Sequence, residues 1–280
     1  MDRVVILGAG ELGGLLAHAL ATRSVAREIC LIDEKGRVAE GKALDIMQAA
    51  PVERFSSTVV GSTDTALAGG ATLVVIADAF GGAEFQGDEG LTVLQRLRDF
   101  APKALVVCAG ATACELVERG VRELHVPRGR LLGSGPEALV AGIRAVVAAE
   151  LRTSPRDVAV TALGVPPDHI VVPWEDATVG GFGLHRIVSE PERRRLDAGL
   201  AKLWPPGPYA LASAAAKVID TILGGSDRVV TCFVAPDDSA GRRTRTAALP
   251  VRLNRSGLVD VVMPELNGRD RVRLDNATLL

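Results

Sequence analysis

Three glycines near the N-terminus are spaced so that the backbone around them could hold an anion. The apolar run from Val4 to Leu7 leads into Gly8-Ala9-Gly10-Glu11-Leu12-Gly13, and a helical pattern starts at Leu12. A glycine-rich turn between a strand and a helix offers unpaired backbone N–H groups and the positive end of the helix dipole. This arrangement is typical of a site for the pyrophosphate of a dinucleotide.

An acidic residue completes this pattern. Asp33 ends the second apolar run, 20 residues after Gly13, where its carboxylate could accept hydrogen bonds from both hydroxyls of a ribose. Because its charge would repel a 2′-phosphate, the pattern favours NAD over NADP, although Lys35 and Arg37 lie nearby. Gly8 is expected to permit the tight turn, Gly10 to admit the phosphates, and Gly13 to let the helix approach the sheet. The expected cofactor contacts are Gly8, Gly10, Glu11, Leu12, Gly13, Asp33, Ala77 and Asp78.

Strands and helices alternate through the first half of the chain. The strands are apolar runs without polar alternation, which indicates a parallel sheet covered on both faces. We expect strands at 4–7, 28–32, 57–61, 71–77, 104–108 and 130–133, and helices at 12–21, 39–49, 90–100 and 113–120, with Pro51 stopping the second helix. The pattern predicts an α/β doubly wound Rossmann domain over residues 1–133.

The second half reads as an α+β domain over residues 134–280, joined near Gly133 to Pro136 without a flexible tether. Helices are expected at 137–151, 189–204 and 210–223, and strands at 158–163 and 170–172. Three later strands, at 229–234, 247–253 and 258–262, are expected to be antiparallel and to close the domain.

Several segments resemble the lactate/malate dehydrogenase family, and malate dehydrogenases most closely. Gly41-Lys42-Ala43-Leu44-Asp45-Ile46, followed by Ala49-Ala50-Pro51, looks like the family's helix "GKALD…A(A/S)P". Val229-Val230-Thr231-Cys232 resembles a late strand, and Pro250-Val251 with Gly257 resembles the strand and turn "VPV…G". The resemblance covers roughly residues 3–265 and implies that the family's long final helix is mostly absent after Leu266. It also implies NAD as cofactor and a homodimer or homotetramer formed through the "GKALD" helix; packing of that helix within its own chain is the alternative.

The family's hydride transfer needs a histidine base held by a carboxylate, arginines that hold the substrate, and a loop that excludes water. The resemblance places Pro166 at the histidine of "GGHGD". In the helix "LDSxRFR" it places Leu139 at the aspartate and Gly142 at the substrate arginine. The other departures are Gly82 and Asp88 at the arginines of the mobile loop, Ala109 at the asparagine of "SNP", and Ala210 at a serine before the late helix. Loss of a positioned base alone costs ~10²–10⁴ in rate, so we expect little turnover of malate or lactate.

Three functions remain open at this stage. The first is a pseudoenzyme that keeps NAD binding for sensing, regulation or assembly. The second is an active NAD-dependent oxidoreductase with a changed, non-dicarboxylate substrate, in which Asp78, Glu84 and Asp88 would favour a neutral or cationic molecule. The third is a structural or interaction protein without catalysis. Proton acceptors for the second are Asp78, Asp88, Asp168 and His169, with His169 the candidate for a relocated base.

Bulk properties exclude other classes of protein. The net charge is −2 and no long basic block occurs, which argues against nucleic acid or an anionic membrane as partner. The N-terminus lacks the charged region and cleavage site of a signal peptide, and no apolar stretch is long enough to span a bilayer, so we expect a cytoplasmic protein. Neither a CxxC pair nor any spacing of metal ligands is present, so we expect free thiols and no metal.

Overall fold

The computed structural model of the chain describes residues 2–35, 37–226, 228–237 and 244–279. Its first half is a six-stranded parallel sheet in the order β3-β2-β1-β4-β5-β6. The strands are β1 (Arg3–Leu7), β2 (Glu28–Ile32), β3 (Thr58–Ser62), β4 (Leu73–Ile76), β5 (Leu105–Cys108) and β6 (Leu131–Gly133). The helices between them are α1 (Glu11–Thr22), α2 (Val38–Glu53), α3 (Gly87–Phe100) and α4 (Ala113–Arg122).

Alternate residues of these strands face two separate apolar layers. Val4 and Ile6 of β1 pack in the layer that contains α1, whereas Val5 and Leu7 pack in the layer that contains α3 and α4. A sheet buried on both faces explains why its strands are continuous apolar runs. The order reverses between β1 and β4, and ligands of open α/β sheets bind outside the carboxyl ends of the strands at such a point. The expected doubly wound α/β fold is confirmed.

The second half extends the same sheet. Its helices are α5 (Gly135–Leu151), α6 (Glu190–Gly199), α7 (Pro208–Gly224) and α8 (Gly268–Thr278). Strand β12 (Val229–Val234) pairs antiparallel with β6, and the sheet continues through β13 (Ala247–Asn254), β8 (Leu163–Val165) and β9 (His169–Val171), with β14 (Gly257–Val261) on β13. The expected antiparallel pairing of the late strands is confirmed. A boundary at residues 133–134 stays a prediction, because the sheet is continuous across it.

The expected end of α2 at Pro51 is wrong. The helix continues to Glu53, and Arg54 closes it with a φ of +61° while its N–H donates to the Ala50 carbonyl at 2.8 Å. Proline removes one backbone N–H, and in the last turn of a helix that loss is small. The prediction placed the stop one turn too early.

Three expectations for the second half also need correction. The strand expected over 158–163 is two elements: β7 (Val158–Ala159) joins a small sheet with β10 (Thr178–Val179) and β11 (Phe182–Gly183), and β8 joins the main sheet. The helix expected to reach Trp204 ends at Gly199 and is followed by a 3₁₀ turn. After Leu266 the chain forms α8, an 11-residue helix. None of the helices in the described ranges is long and apolar enough to cross a membrane.

Candidate functional site

The glycine turn lies between β1 and α1, at the point where the strand order reverses. Gly8 has a φ of +99°, a conformation that glycine adopts readily, and its N–H donates to the Ile32 carbonyl at 2.8 Å. A Cβ on Gly8 would overlap the backbone of Asp78, and a Cβ on Gly13 would overlap the carbonyl of Gly8. The tight turn and the close approach of α1 to the sheet therefore both require glycine.

The carboxylate of Asp78 lies on the N-terminus of α1. Its Oδ1 accepts a hydrogen bond from the Gly13 amide at 2.8 Å, and its Oδ2 accepts one from the Leu12 amide at 3.1 Å. Gly10 is the N-cap residue and has no side chain of its own to satisfy these amides. A Cβ on Gly10 would overlap the Asp78 carboxylate. The carboxylate thus fills the space that glycine at position 10 keeps clear, which is where the sequence led us to expect phosphates.

Asp33 follows β2 and is also engaged by backbone amides. It is 5% exposed; its Oδ2 accepts from the amides of Ala9 at 2.8 Å and Phe80 at 2.9 Å, and its Oδ1 accepts from the Lys35 amide at 2.9 Å. Burial raises the pKa of Asp33, but the three amide donors and the Lys35 charge together outweigh it and lower the pKa below its ordinary value. An ionised carboxylate has about four acceptor positions, so one stays open for a ribose hydroxyl while Phe80 is in place.

Residues 78–84 form a short turn that we call the 78–84 hairpin. Asp78 and Glu84 form an antiparallel bridge at its base, and the Ala79 amide donates to the Ala83 carbonyl at 3.3 Å. Gly81 has a φ of +66°, which lets the chain reverse direction. Asp78 and the Phe80 amide, which contact α1 and Asp33, both belong to this hairpin. It therefore covers the polar groups expected to recognise a dinucleotide.

Glu84, the last residue of the hairpin, holds it against α4. Its Oε1 accepts from the Ala111 amide at 2.8 Å, and its Oε2 accepts from the amide and the hydroxyl of Thr112 at 2.8 and 2.6 Å. A Cβ on Gly110 would overlap this carboxylate. Thr112 is the N-cap of α4 and makes no cap with its own side chain. Glu84 thus satisfies donors at the start of α4, just as Asp78 does at α1.

A cavity of about 310 Å³ opens beside Asp33, at the carboxyl ends of β1 and β2 and against α3. Leu7, Ile32 and Leu97 supply apolar walls, and Asp33 and Lys35 supply polar groups. Apolar walls with a few placed polar groups suit an adenine ring and its ribose. The site as built fits the adenosine half of a dinucleotide. The phosphate half fits only when the Asp78 carboxylate leaves the α1 amides.

The remaining expected cofactor contacts lie around the same turn. Glu11 is exposed in the first turn of α1, and Ala77 is buried with its N–H on the Leu7 carbonyl at 2.9 Å. Sequence reasoning missed Lys42 of α2, whose Nζ donates to the Gly10 carbonyl and lies beside Gly14. Its place in the "GKALD" helix, which packs against α1, was a usable signal. Lys42 puts a positive charge next to the glycine turn.

Several of the positions expected to have lost catalytic groups lie in the second half. Pro166 follows β8, and Leu139 is 1% exposed in an apolar cluster with Ile143. His169 begins β9 and is exposed. Among the residues that the structure describes, the side chains of Asp168 and His169 make no hydrogen bond or ion pair, and neither lines the cavity beside Asp33. The structure does not bring His169 to the cofactor crevice.

Two further features bear on the chemistry available. Within the described ranges, no group of three or more His, Cys, Asp or Glu residues is arranged to hold a metal ion. The four cysteines are free, as expected, and Cys108 ends β5 near Glu84. Burial, with a smaller contribution from the Glu84 charge, raises the pKa of Cys108 to about 12. This thiol is therefore not an activated nucleophile.

Comparison with known proteins agrees with this geometry. Residues 2–86 match the NAD-binding domain of lactate/malate dehydrogenases, which supports NAD as the cofactor. A malate dehydrogenase of Bacteroides fragilis is 26% identical over 98% of this chain and 93% of its own, and one of Thioalkalivibrio sulfidiphilus is 28% identical over 99% and 96%. A lactate dehydrogenase of Cryptosporidium parvum, solved with lactic acid and NAD, superposes with a TM-score of 0.88 at 20% identity, over 99% of this chain and 94% of its own. Somewhat less than a third of the chain thus matches the family's NAD-binding domain, and the chain as a whole is similar to malate and lactate dehydrogenases.

Proposed function

We propose that this protein binds NAD and has little or no malate or lactate dehydrogenase activity. The observation that carries the proposal is the formed glycine turn beside Asp33 and an apolar cavity, at the crevice where the strand order reverses. In this binding mode the Leu12 and Gly13 amides hold a phosphate, and Asp33 accepts a ribose hydroxyl. NAD, when bound, supplies a hydride acceptor at its nicotinamide ring.

The residues at the family's catalytic positions support the proposal that turnover is weak, because they lack the groups that catalysis needs. Pro166 has no side-chain group that can take a proton, and Gly142 has none that can hold a carboxylate. Leu139 is buried among apolar side chains and offers no acceptor to orient a base. These groups act as a unit in catalysis, so their effects are not additive, but each loss alone is large.

The contacts of the acidic residues near the hairpin do not favour a cationic substrate. Asp78 and Glu84 are bound to backbone amides of α1 and α4. Asp88 is paired with Arg119 at 2.9 Å. Carboxylates that are already neutralised by donors of the same chain attract a cation weakly. An oxidoreductase with a changed substrate therefore stays the second candidate.

We further propose that the protein is a homodimer formed through α2. Leu44 and Val52 of this helix are 61% and 80% exposed, and the resemblance places the family's two-fold contact on this helix. Sedimentation should give a dimer for the wild type, and Leu44→Glu should shift the equilibrium towards monomer. A monomeric wild type at micromolar concentration would exclude this assembly.

The direct test measures binding and turnover on one sample. NADH and NAD are titrated by calorimetry, and turnover of oxaloacetate, pyruvate and malate is assayed in parallel, with an active malate dehydrogenase as the positive control. We expect saturable binding with turnover at background. A flat titration at high protein concentration would refute NAD binding, and turnover well above background would refute the catalytic part of the proposal.

A further inference from the structure

We propose that the Asp78 carboxylate is an internal competitor for the phosphates of the nucleotide. It lowers the affinity for NAD and selects against ligands with phosphate at this position. The inference rests on the proposed NAD binding and concerns the same crevice, but it assigns Asp78 a role opposite to that of a cofactor contact.

The carboxylate of Asp78 and a bound phosphate need the same hydrogen-bond donors. Among the amides at the start of α1, those of Leu12 and Gly13 both donate to Asp78, at 3.1 and 2.8 Å. A dinucleotide held at a glycine turn places its phosphate on these amides, because they are the exposed donors of the helix N-terminus. Each N–H can serve one strong acceptor, so the two anions exclude one another.

The Asp78 carboxylate and a bound phosphate also need the same space. The missing side chain of Gly10 clears a volume in front of the helix, and the Asp78 carboxylate fills it. The amide of Gly10 itself donates to the backbone carbonyl of Asp78 at 2.9 Å. This backbone contact fixes the residue beside the turn, so a bound phosphate requires the side chain to rotate away or the hairpin to shift.

The charge of Asp78 also repels a bound phosphate. A displaced Asp78 stays close to the turn because its backbone is held there, and two negative charges a few ångströms apart repel one another. The penalty falls on phosphates and not on an uncharged nucleoside, which would occupy the cavity beside Asp33, whose lining does not include Asp78. Asp78 therefore changes relative affinities as well as absolute ones.

The size of the effect on NADH affinity follows from the fraction of molecules in which the site is free. The apparent dissociation constant equals the intrinsic one divided by the fraction of molecules whose site is free. A carboxylate held by two charge-assisted hydrogen bonds leaves that fraction small, so its removal should tighten NADH binding about tenfold or more. If Asp78 were only a helix cap, its removal would lower stability and leave binding unchanged or weaker.

The experiment uses calorimetry on the full chain, with NADH, ADP and adenosine as three probes. The variants are Asp78→Ala, Asp78→Asn and Ser189→Ala. Asp78→Asn keeps the shape of the side chain and one acceptor, so it guards against a misfolded alanine variant. Ser189→Ala removes a capping hydroxyl from α6, and serves as the control for a lost helix cap outside the crevice.

We expect Asp78→Ala to bind NADH and ADP about tenfold more tightly. Asp78→Asn should gain part of this, because it loses the charge but still fills the same space, and adenosine affinity should stay within about twofold for both variants. Ser189→Ala should lower the melting temperature and leave all three affinities unchanged. Equal NADH affinity in wild type and both Asp78 variants would overturn this inference alone, as would an equal gain for adenosine. If neither the wild type nor any variant binds NADH, the proposed function falls together with it.

Discussion

The carboxylate of Glu84 accepts a hydrogen bond from the Ala111 amide at 2.8 Å, at the start of α4. Asp78, at the other end of the same hairpin, accepts from the amides at the start of α1. The two helices follow β1 and β5, which lie on either side of β4. The 78–84 hairpin is therefore held at both ends by carboxylates on helix N-termini, and it spans the crevice between them.

Substitution of Glu84 should free one end of the hairpin. Glu84→Ala removes three hydrogen bonds to a charged acceptor, and the net contribution of such a bond is at most about 1.5–3 kcal/mol. We expect the backbone amides of residues 79–83 to exchange with deuterium at least about tenfold faster, because the Phe80 amide loses its support on Asp33. Mass spectrometry of peptides over this segment measures the change.

The control for that experiment is Glu53→Ala, which removes an exposed carboxylate at the end of α2. It should leave exchange in the hairpin unchanged. Glu84→Gln should lie between the wild type and Glu84→Ala, because the amide oxygen still accepts while the charge is gone. Unchanged exchange in Glu84→Ala would mean that Asp78 alone holds the hairpin.

The pKa of Asp33 gives a prediction for acid stability. Its amide donors hold the folded-state pKa below the ordinary value, so its contribution to stability is complete above about pH 4. As the pH falls below that, through the folded-state pKa, Asp33 takes up a proton and the contribution is lost. Asp33→Asn should therefore be less stable than wild type at pH 7, and the difference should shrink towards pH 2.

Urea unfolding at a series of pH values measures this difference. Asp64→Asn is the matched control, since Asp64 is exposed and accepts from one nearby amide, that of Ala66, at 2.9 Å. It should lose less stability at pH 7 than Asp33→Asn. A stability difference for Asp33→Asn that does not vary with pH would contradict an ionised, amide-bound carboxylate.

The layout of the first half could be predicted because each strand carries its own signal. The apolar runs at β1, β2 and β4 mark strands covered on both faces, and the spacing of Gly8, Gly10 and Gly13 marks the turn. The contacts of Asp78 could not be predicted in the same way. They depend on β4 lying next to β1, which is a property of the strand order and not of the residues around position 78.

The errors in the second half also have physical reasons. Residues 158–163 look like one strand because apolar residues recur along them, but the pairing partner changes partway: Val158 pairs with Val179, and Gly164 pairs with Ala248. Periodicity reports burial and carries no information on the partner strand. The same limit applies to Glu84, since only the turn at Gly81 brings it beside Asp78 and sends its side chain towards α4.

The buried carboxylate of Glu137 joins α5 to α7 and to the late strands. Glu137 is 4% exposed, pairs with Lys217 of α7, and accepts from the Thr231 amide at 2.8 Å. Glu137→Ala leaves the buried Thr231 amide without its acceptor, whereas the Lys217 side chain is 40% exposed and its ammonium can be hydrated. We therefore expect the substitution to lower the free energy of unfolding by about 1–3 kcal/mol. Glu137→Gln should cost less, because it still accepts from Thr231. Denaturant midpoints measure the stability loss of both variants. A loss below about 1 kcal/mol for Glu137→Ala would contradict the burial of the Glu137 carboxylate.

Turnover decides whether His169 has taken over as the base. It begins β9, is exposed, and its side chain has no carboxylate partner among the described residues, whereas a catalytic histidine needs a group to orient it. We therefore expect any trace oxidation of malate to survive His169→Asn within about twofold, while loss of a true base would cost ~10²–10⁴. His185→Asn, the same substitution at an exposed histidine that is not a candidate base, is the control. A hundredfold fall in kcat for His169→Asn alone, with NADH affinity unchanged, would show that the chain still has a catalytic base and would restore the reading of an active dehydrogenase.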